Sequence, residues 1–244
     1  MPETKLSVSL LRYTSDPEET VALAAKLCYS KLDIEELKKG LQEKELKKFI
    51  KKILSMGHLS TIEHIAFTFG IEGVSRSLLA QITRHRIASY SVKSQRYVAE
   101  SKSSNETFNY IIPISIKELG PSYENKFSEQ MNQIQEWYDY WYKVLEGNEY
   151  GAAEDARFVL PNAAETKMVL TMNARELYHF FKLRCCHRAQ WEIRELAWQM
   201  LALVRAVAPN IFYYAGPNCI FSKCSEGAMT CGRSAEMIER HKQI

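Results

Sequence analysis

At 244 residues, with 46% hydrophobic and 25% charged side chains, the chain can build one sizeable core or two small ones and has the composition of a soluble globular protein. A net charge of +3 is too small for a general nucleic-acid coat. Six cysteines, two of them adjacent at Cys185 and Cys186, do not form a secreted disulfide pattern, so a reducing cytoplasm is expected; the start MPETKLSVSLLRY and the short apolar stretches predict neither a signal peptide nor a membrane partner.

Residues 5–13 alternate as a first strand. Ser15-Asp16-Pro17-Glu18-Glu19 then supplies a cap, an early proline and an acidic first turn for a helix. Residues 33–56 are apolar at helical spacing behind a lysine-rich solvent face, with Gly57 as the stop and Gly40 as a break. Residues 62–74 (IEHIAFTFGIEGV) predict a strand, and 75–86 a helix whose end carries Arg84-His85-Arg86. A short strand is expected over 108–112, closed by Pro113. A long helix follows over 121–146, whose aromatics Trp137, Tyr138, Tyr140, Trp141 and Tyr142 suit core or subunit interface. A short helix over 152–158, a strand over 167–172, a helix opened by Asn173-Ala174-Arg175 through Leu183 and a last strong helix over 189–207 complete the pattern. Beyond Pro209 the chain is irregular. The prediction is a single α+β domain, a mixed β-sheet packed with several long helices, over 1–210, with 211–244 as a cysteine-containing extension.

The segment RHRIASYSVKSQRY, Arg84 to Tyr97, is the most distinctive. Between Gly73 and Ala99 there is no acid, while Arg76, Arg84, Arg86, Lys93 and Arg96 supply five positive charges. Such a run must pair with distant acids, meet an external anion or stay solvated. Arginine forks match phosphate oxygens, and the interleaved Ser89, Ser91, Ser94, Gln95 and Tyr97 add hydrogen-bonding groups. Composition alone leaves nucleotide and polynucleotide open.

Arg-His-Arg-x7-Ser resembles the signature of the flavin-dependent thymidylate synthases. Gly57-His58-x-Ser60-Thr61-x-Glu63-His64, Ala156-Arg157-x-Val159-Leu160-Pro161, Asn173-Ala174-Arg175, Leu183-Arg184 and Ala189-Gln190-Trp191-Glu192-Ile193 resemble further segments of that family, in order, over residues 5 to 210. The resemblance implies reductive methylation of dUMP to dTMP, with methylenetetrahydrofolate as carbon donor and NADPH-reduced FAD as hydride donor, in a homotetramer with active sites at subunit interfaces. It implies dUMP binding by Gln81, Arg84, Ser94, Gln95, Arg96, Arg157 and Arg184, and FAD binding by His58, Ser60, Arg84, His85, Arg86, Asn173, Arg175 and His179. Arg184 becomes the catalytic candidate, stabilising negative charge that develops at the pyrimidine O2/N3 edge.

Three departures stand out. Ser91-Val92 replaces a common Asn-Glu, His179 a common asparagine, and His187-Arg188 shifts a histidine by one place. Ser94 has no evident base and carboxylate to make it a nucleophile, so a phosphate ligand is its expected role. His58 and His64 lack the His-Glu-x-x-His spacing of a zinc helix, and no Gly-x-Gly-x-x-Gly turn announces a dinucleotide fold. Cys219-x4-Cys224-x6-Cys231, with Cys185 or Cys186, has enough thiolates for a tetrahedral zinc, but lacks a Cys-x-x-Cys pair; no metal ligand is assigned. Two other functions remain: a nucleic-acid-binding protein using 76–96, and a flavoprotein oxidoreductase acting on another nucleotide.

Overall fold

The alternating runs pair as strands, and the antiparallel register between them is plain in a computed structural model. It describes all residues except 1–2, 42, 101–106, 148 and 150 and the side chains of 43–45. In chain order the elements are β1 (Ser7–Tyr13), α1 (Pro17–Leu27), α2 (Ile34–Lys39), α3 (Glu43–Ser55), β2 (Ala66–Ser75), α4 (Arg76–Ile82), β3 (Ala88–Val92), α5 (Ile114–Lys117), α6 (Pro121–Val144), α7 (Ala152–Ala156), β4 (Glu165–Asn173), α8 (Ala174–Arg184), α9 (Trp191–Val207) and α10 (Ser234–Lys242). The sheet order is β1-β2-β4-β3. As one strand of the β2–β4 pair ascends the other descends: Ala174 N–H bonds Ile65 O at 3.0 Å, Thr68 meets Thr171 at 2.9 Å, and Arg76 N–H bonds Ala164 O at 3.0 Å. The expected α+β class is found. The named strands are antiparallel, and among the described residues the parallel pairing of a mixed sheet is confined to the isolated Glu3–Tyr110 bridge.

The chain divides into two compact units. The first comprises Met1–Ser7, Ile71–Arg84 and Ser91–Val169. Its core joins Phe108, Tyr110, Ile112 and Ala164 to Met131, Phe127 and Ile134 on one stripe of α6. Buried Gln135 serves this core by bonding: its Oε1 accepts from Phe108 N–H at 2.6 Å, and its Nε2 donates to Glu100 O at 3.1 Å. The second unit comprises Val8–Gly70, His85–Tyr90 and Leu170–Ile244. Phe212 anchors it, in edge contact with Phe67 at 5.3 Å and Phe181 at 6.1 Å and stacked on Tyr178 at 5.9 Å.

Several boundaries move. Residues 59–64 are a 3-10 turn (Leu59–His64), so β2 starts later than periodicity suggested. Helix α4 stops at Ile82, which places Arg84-His85-Arg86 in a turn, and the next residues form β3, a strand the charge-rich sequence hid. The 108–112 strand reduces to the bridges of Tyr110. Helices α5 and α10 were not foreseen. Asp16 caps α1 without a side-chain bond. Glu18 of the acidic first turn accepts instead from the backbone and side-chain N–H groups of Asn210, both at 2.7 Å. Gly57 does end α3, at φ 77°, and Gly40 separates α2 from α3.

Candidate active site

In the first unit a cavity of about 350 Å³ is lined by Arg76, Gln95, Arg157, Phe158, Leu160, Pro161 and Asn162. Arg76 leads α4, where Ser75 caps by accepting from Leu78 N–H at 3.0 Å. Arg157 closes α7, its Nε donating to Glu154 O at 2.9 Å. Burial, and then the charge of Arg157, lower the pKa of Arg76. Two guanidinium groups therefore repel across a space that also receives the amide of Gln95, whose Nε2 is buried with no hydrogen-bond partner. An orphaned donor beside two cations calls for an anion with several oxygens.

The other charges of the run divide differently. Lys93 pairs with Glu100 at 2.6 Å and Arg96 with Glu154 at 2.9 Å. Arg84 and Arg86 are exposed, and no ion pair among the described residues includes them. Ser94 Oγ accepts from Arg96 N–H at 3.3 Å. Of the residues expected at dUMP, Gln95 and Arg157 come together here; Gln81, Arg84, Ser94 and Arg96 do not line this cavity. Arg76 and Asn162 do, and sequence reasoning missed both as site residues. Arg76 was visible as a cation, yet nothing local links it to a residue eighty positions away.

In the second unit, Asn173 caps α8 by accepting from Glu176 N–H at 2.9 Å, which fixes the first turn carrying Glu176. The Glu176 carboxylate takes His85 Nδ1 at 3.0 Å, and Arg184 Nε donates to His85 Nε2 at 3.1 Å. These two bonds fix the tautomer: Nε2 must accept, so Nδ1 carries the proton and donates to Glu176. His85 is buried, and burial first, then Arg184 and His179, lower its pKa against the pull of Glu176. The imidazole thus stays neutral and holds Arg184 from behind. Tyr90 secures the same turn by donating to His85 O at 2.9 Å. His179 is exposed, its ring 5.7 Å from that of His85. His85, Glu176 and His179 place ligand atoms within 4.8 Å of one another, but both His85 nitrogens are already engaged. Arg175 pairs with Glu63 and is exposed. His58 and Ser60 line a second cavity, about 270 Å³, with Tyr29, Phe49, Met56 and Thr61.

A pH dependence follows. A histidine whose folded pKa lies below its unfolded value of about 6.5 contributes stability that is intact above that pH and is lost as pH falls below it. His187 and His241 are lowered too and share the sign. Wild-type thermal stability should therefore drop as pH falls below about 6.5, and His85→Gln should flatten that slope. An equally steep slope in the variant would refute the neutral, buried assignment of His85.

Comparison with known proteins decides the family. The sequence model of the family described as "Thymidylate synthase complementing protein" matches residues 9–210. A flavin-dependent thymidylate synthase of Clostridium tetani is 51% identical over 243 residues, covering 95% of each chain. The chain belongs to the flavin-dependent thymidylate synthase family. A member from Geobacter sulfurreducens is 50% identical over 239 residues, covering 98% of this chain and 99% of its own. The crystal structure of the Helicobacter pylori flavin-dependent thymidylate synthase, complexed with FAD and dUMP, shares the fold at TM-score 0.61 and 24% identity, covering 86% of this chain and 99% of that one. No helix among the described residues is long and apolar enough to cross a membrane.

The departures from the family pattern have local uses. Arg188 Nη1 donates to Met229 O at 2.6 Å and meets Glu226 at 3.1 Å, while His187 Nε2 lies 2.7 Å from Arg233. Both residues tie down the chain beyond 210.

Proposed function

We propose that this enzyme methylates dUMP to dTMP, with the 76/95/157/162 cavity as its phosphate site. The observation that carries this is a cavity lined by two mutually repelling arginines and by Gln95, whose Nε2 is buried with no hydrogen-bond partner. A nucleotide phosphate supplies the missing acceptors and cancels the repulsion. A nucleic-acid role for 76–96 is disfavoured because Lys93 and Arg96 already hold acids. This takes 1–210 as the catalytic domain and 211–244 as an extension, in line with the 9–210 family match.

Bound FAD, reduced by NADPH, supplies the hydride that completes the methyl group delivered by methylenetetrahydrofolate. The residues fit such a cofactor: the His58/Ser60 cavity offers aromatic walls and hydroxyls suited to a ring system, while Arg86, Arg175 and His179 are exposed for its charged portion. Asn173 supports the site from the α8 cap, where its Oδ1 bonds Glu176 N–H. Arg84, Gln81, Ser94 and Arg96 are assigned to nucleotide binding from the family motif, and Arg84 also to FAD. Arg184 stabilises charge at the pyrimidine O2/N3 edge, and His85, braced by Glu176, orients it. Helix α6 leaves Trp137 (51% exposed), Tyr140 (62%) and Trp141 (45%) outside the core, a surface suited to subunit contacts in a homotetramer.

The assignment is tested by tritium release from the uracil C5 of labelled dUMP, dependent on both methylenetetrahydrofolate and NADPH. A yellow protein that releases tritium is expected; a protein that takes up FAD but releases none, anaerobically and with both co-substrates, would refute it. At the phosphate site, Arg157→Ala or Arg76→Ala should weaken dUMP binding about 10–100-fold, as expected for a lost charge-assisted bond. The same variants should unfold no earlier than wild type without ligand, because repulsion is relieved. Calorimetry with dUMP and deoxyuridine checks this: wild type should prefer the phosphorylated form, and an Arg157→Ala that keeps that preference would move the phosphate elsewhere.

A further inference from the structure

Ser94, Gln95 and Arg96 stand in a loop that its own side chains do not hold. Between the end of β3 at Val92 and Glu100, the side chains of Arg96, Tyr97 and Val98 are exposed, and the two buried ones, Gln95 and Glu100, are both polar. Burying a polar group without a partner costs free energy, and the Nε2 of Gln95 has none. So little apolar burial does not offset the entropy of ordering the backbone. Yet the loop is turned: Val98 N–H bonds Ser94 O at 3.0 Å, and Arg96 N–H bonds Ser94 Oγ at 3.3 Å.

The groups that fix it sit at its two ends. The Glu100 carboxylate meets Lys93 Nζ at 2.6 Å, with 9% of the glutamate side chain and 17% of the lysine side chain exposed. This pair joins the residue before Ser94 to the residue that ends the loop, and in so sheltered a place it is electrostatically strong. Lys93 is anchored to the sheet, its N–H donating to Lys167 O at 3.0 Å. Glu100 is anchored to α6: its N–H donates to the hydroxyl of fully buried Tyr138 at 3.0 Å, and its carbonyl accepts from Gln135 Nε2 at 3.1 Å. All of these residues belong to the first unit, as do Arg76 and Arg157. The Glu100 charge also reaches Arg76, acting against the lowering of its pKa by burial and by Arg157.

We propose that the Lys93–Glu100 pair holds the 94–96 loop in its phosphate-binding form before the nucleotide arrives, which makes both side chains positioning residues for the dUMP site. The proposal rests on the phosphate site assigned above. Neither side chain lines that cavity, so each acts through Ser94, Gln95 and Arg96. In Arg-His-Arg-x7-Ser, Lys93 is the last of the seven unspecified residues and Glu100 lies beyond the serine, so the motif assigns neither. A loop already in its binding form spares the ligand the cost of ordering it. A loop populated in that form only part of the time weakens the apparent affinity by that fraction.

The test is calorimetry with dUMP and with deoxyuridine on the full-length double variant Lys93→Met/Glu100→Gln. Both charges go together, so no unpaired charge is left buried and the net charge near the phosphate is unchanged. Kd and KM for dUMP should rise about tenfold, as for a binding form reduced to about a tenth of the population, while kcat and deoxyuridine affinity change far less. Glu100→Asp, which keeps the charge but withdraws it by one methylene, should fall between wild type and the double variant. Hydrogen exchange on wild type needs no variant: the amides of 96, 98 and 100 should be protected without ligand, and in the double variant they should exchange faster until dUMP is added. A double variant with lowered Tm but wild-type dUMP affinity would show the pair to be merely structural and overturn the proposal. Equal losses for dUMP and deoxyuridine, or unprotected amides in ligand-free wild type, would overturn it too. Wild-type protein that binds no dUMP would instead remove the phosphate site itself, and the proposal with it.

Discussion

Arg184→Ala is expected to lower turnover by about 10²–10³-fold, the effect of deleting one preorganised donor at a developing negative charge. Flavin absorbance and dUMP affinity should change far less. Arg184 sits in the last turn of α8, where its positive charge also complements the helix C-terminus. What distinguishes it from an ordinary helix-end arginine is the bond from its Nε to the neutral Nε2 of His85 at 3.1 Å. That bond aims a planar guanidinium, which a lysine's point charge cannot reproduce, so Arg184→Lys should recover little. Removing Glu176, which holds His85 in its accepting tautomer, should act in the same direction but more weakly. Glu176→Gln should reduce kcat with KM for dUMP nearly unchanged. Single-turnover flavin oxidation with dUMP and methylenetetrahydrofolate separates these cases, and full activity in Arg184→Ala would remove its proposed role.

Gly73→Ala should destabilise the protein by roughly 3–5 kcal/mol, lowering Tm on the order of 10 °C. Two causes combine. Gly73 has φ +68°, and a Cβ there would lie 2.0 Å from the Lys5 carbonyl oxygen. Its N–H also donates to Glu165 Oε1 at 3.2 Å, so the backbone cannot shift without breaking that bond. Gly57→Ala is the control. Gly57 has φ +77° with nothing within 4 Å of the added Cβ, so only the conformational cost of about 1 kcal/mol applies. Equal losses in the two variants, measured by thermal or urea unfolding, would show that the Lys5 contact is irrelevant.

Much of the second unit was legible residue by residue. Asn173 before α8 caps as its chemistry predicts, whereas Gln190, read as part of a helix over 189–207, instead caps α9 by accepting from Glu192 and Ile193 N–H. The apolar spacing of 43–55 and 191–207 marked helices because a buried stripe must recur with the helical period. The Arg84–Tyr97 segment was equally visible, but its conformation was not. Apolar periodicity extended a helix through Arg86, whereas α4 ends at Ile82 and β3 begins at Ala88. A turn there lets His85 enter the core and leaves Arg84 and Arg86 outside.

The sequence by itself determined most of the longer helices, the cationic run and, through ordered motifs, the family to which the chain belongs. Only the tertiary structure decided which charges are paired and which face empty space. His85 finds Glu176 across 91 residues and Arg184 across 99, and Arg76 confronts Arg157 over a comparable distance. Such pairings are set by where strands and helices cross, and local patterns of hydrophobicity or charge carry no record of them.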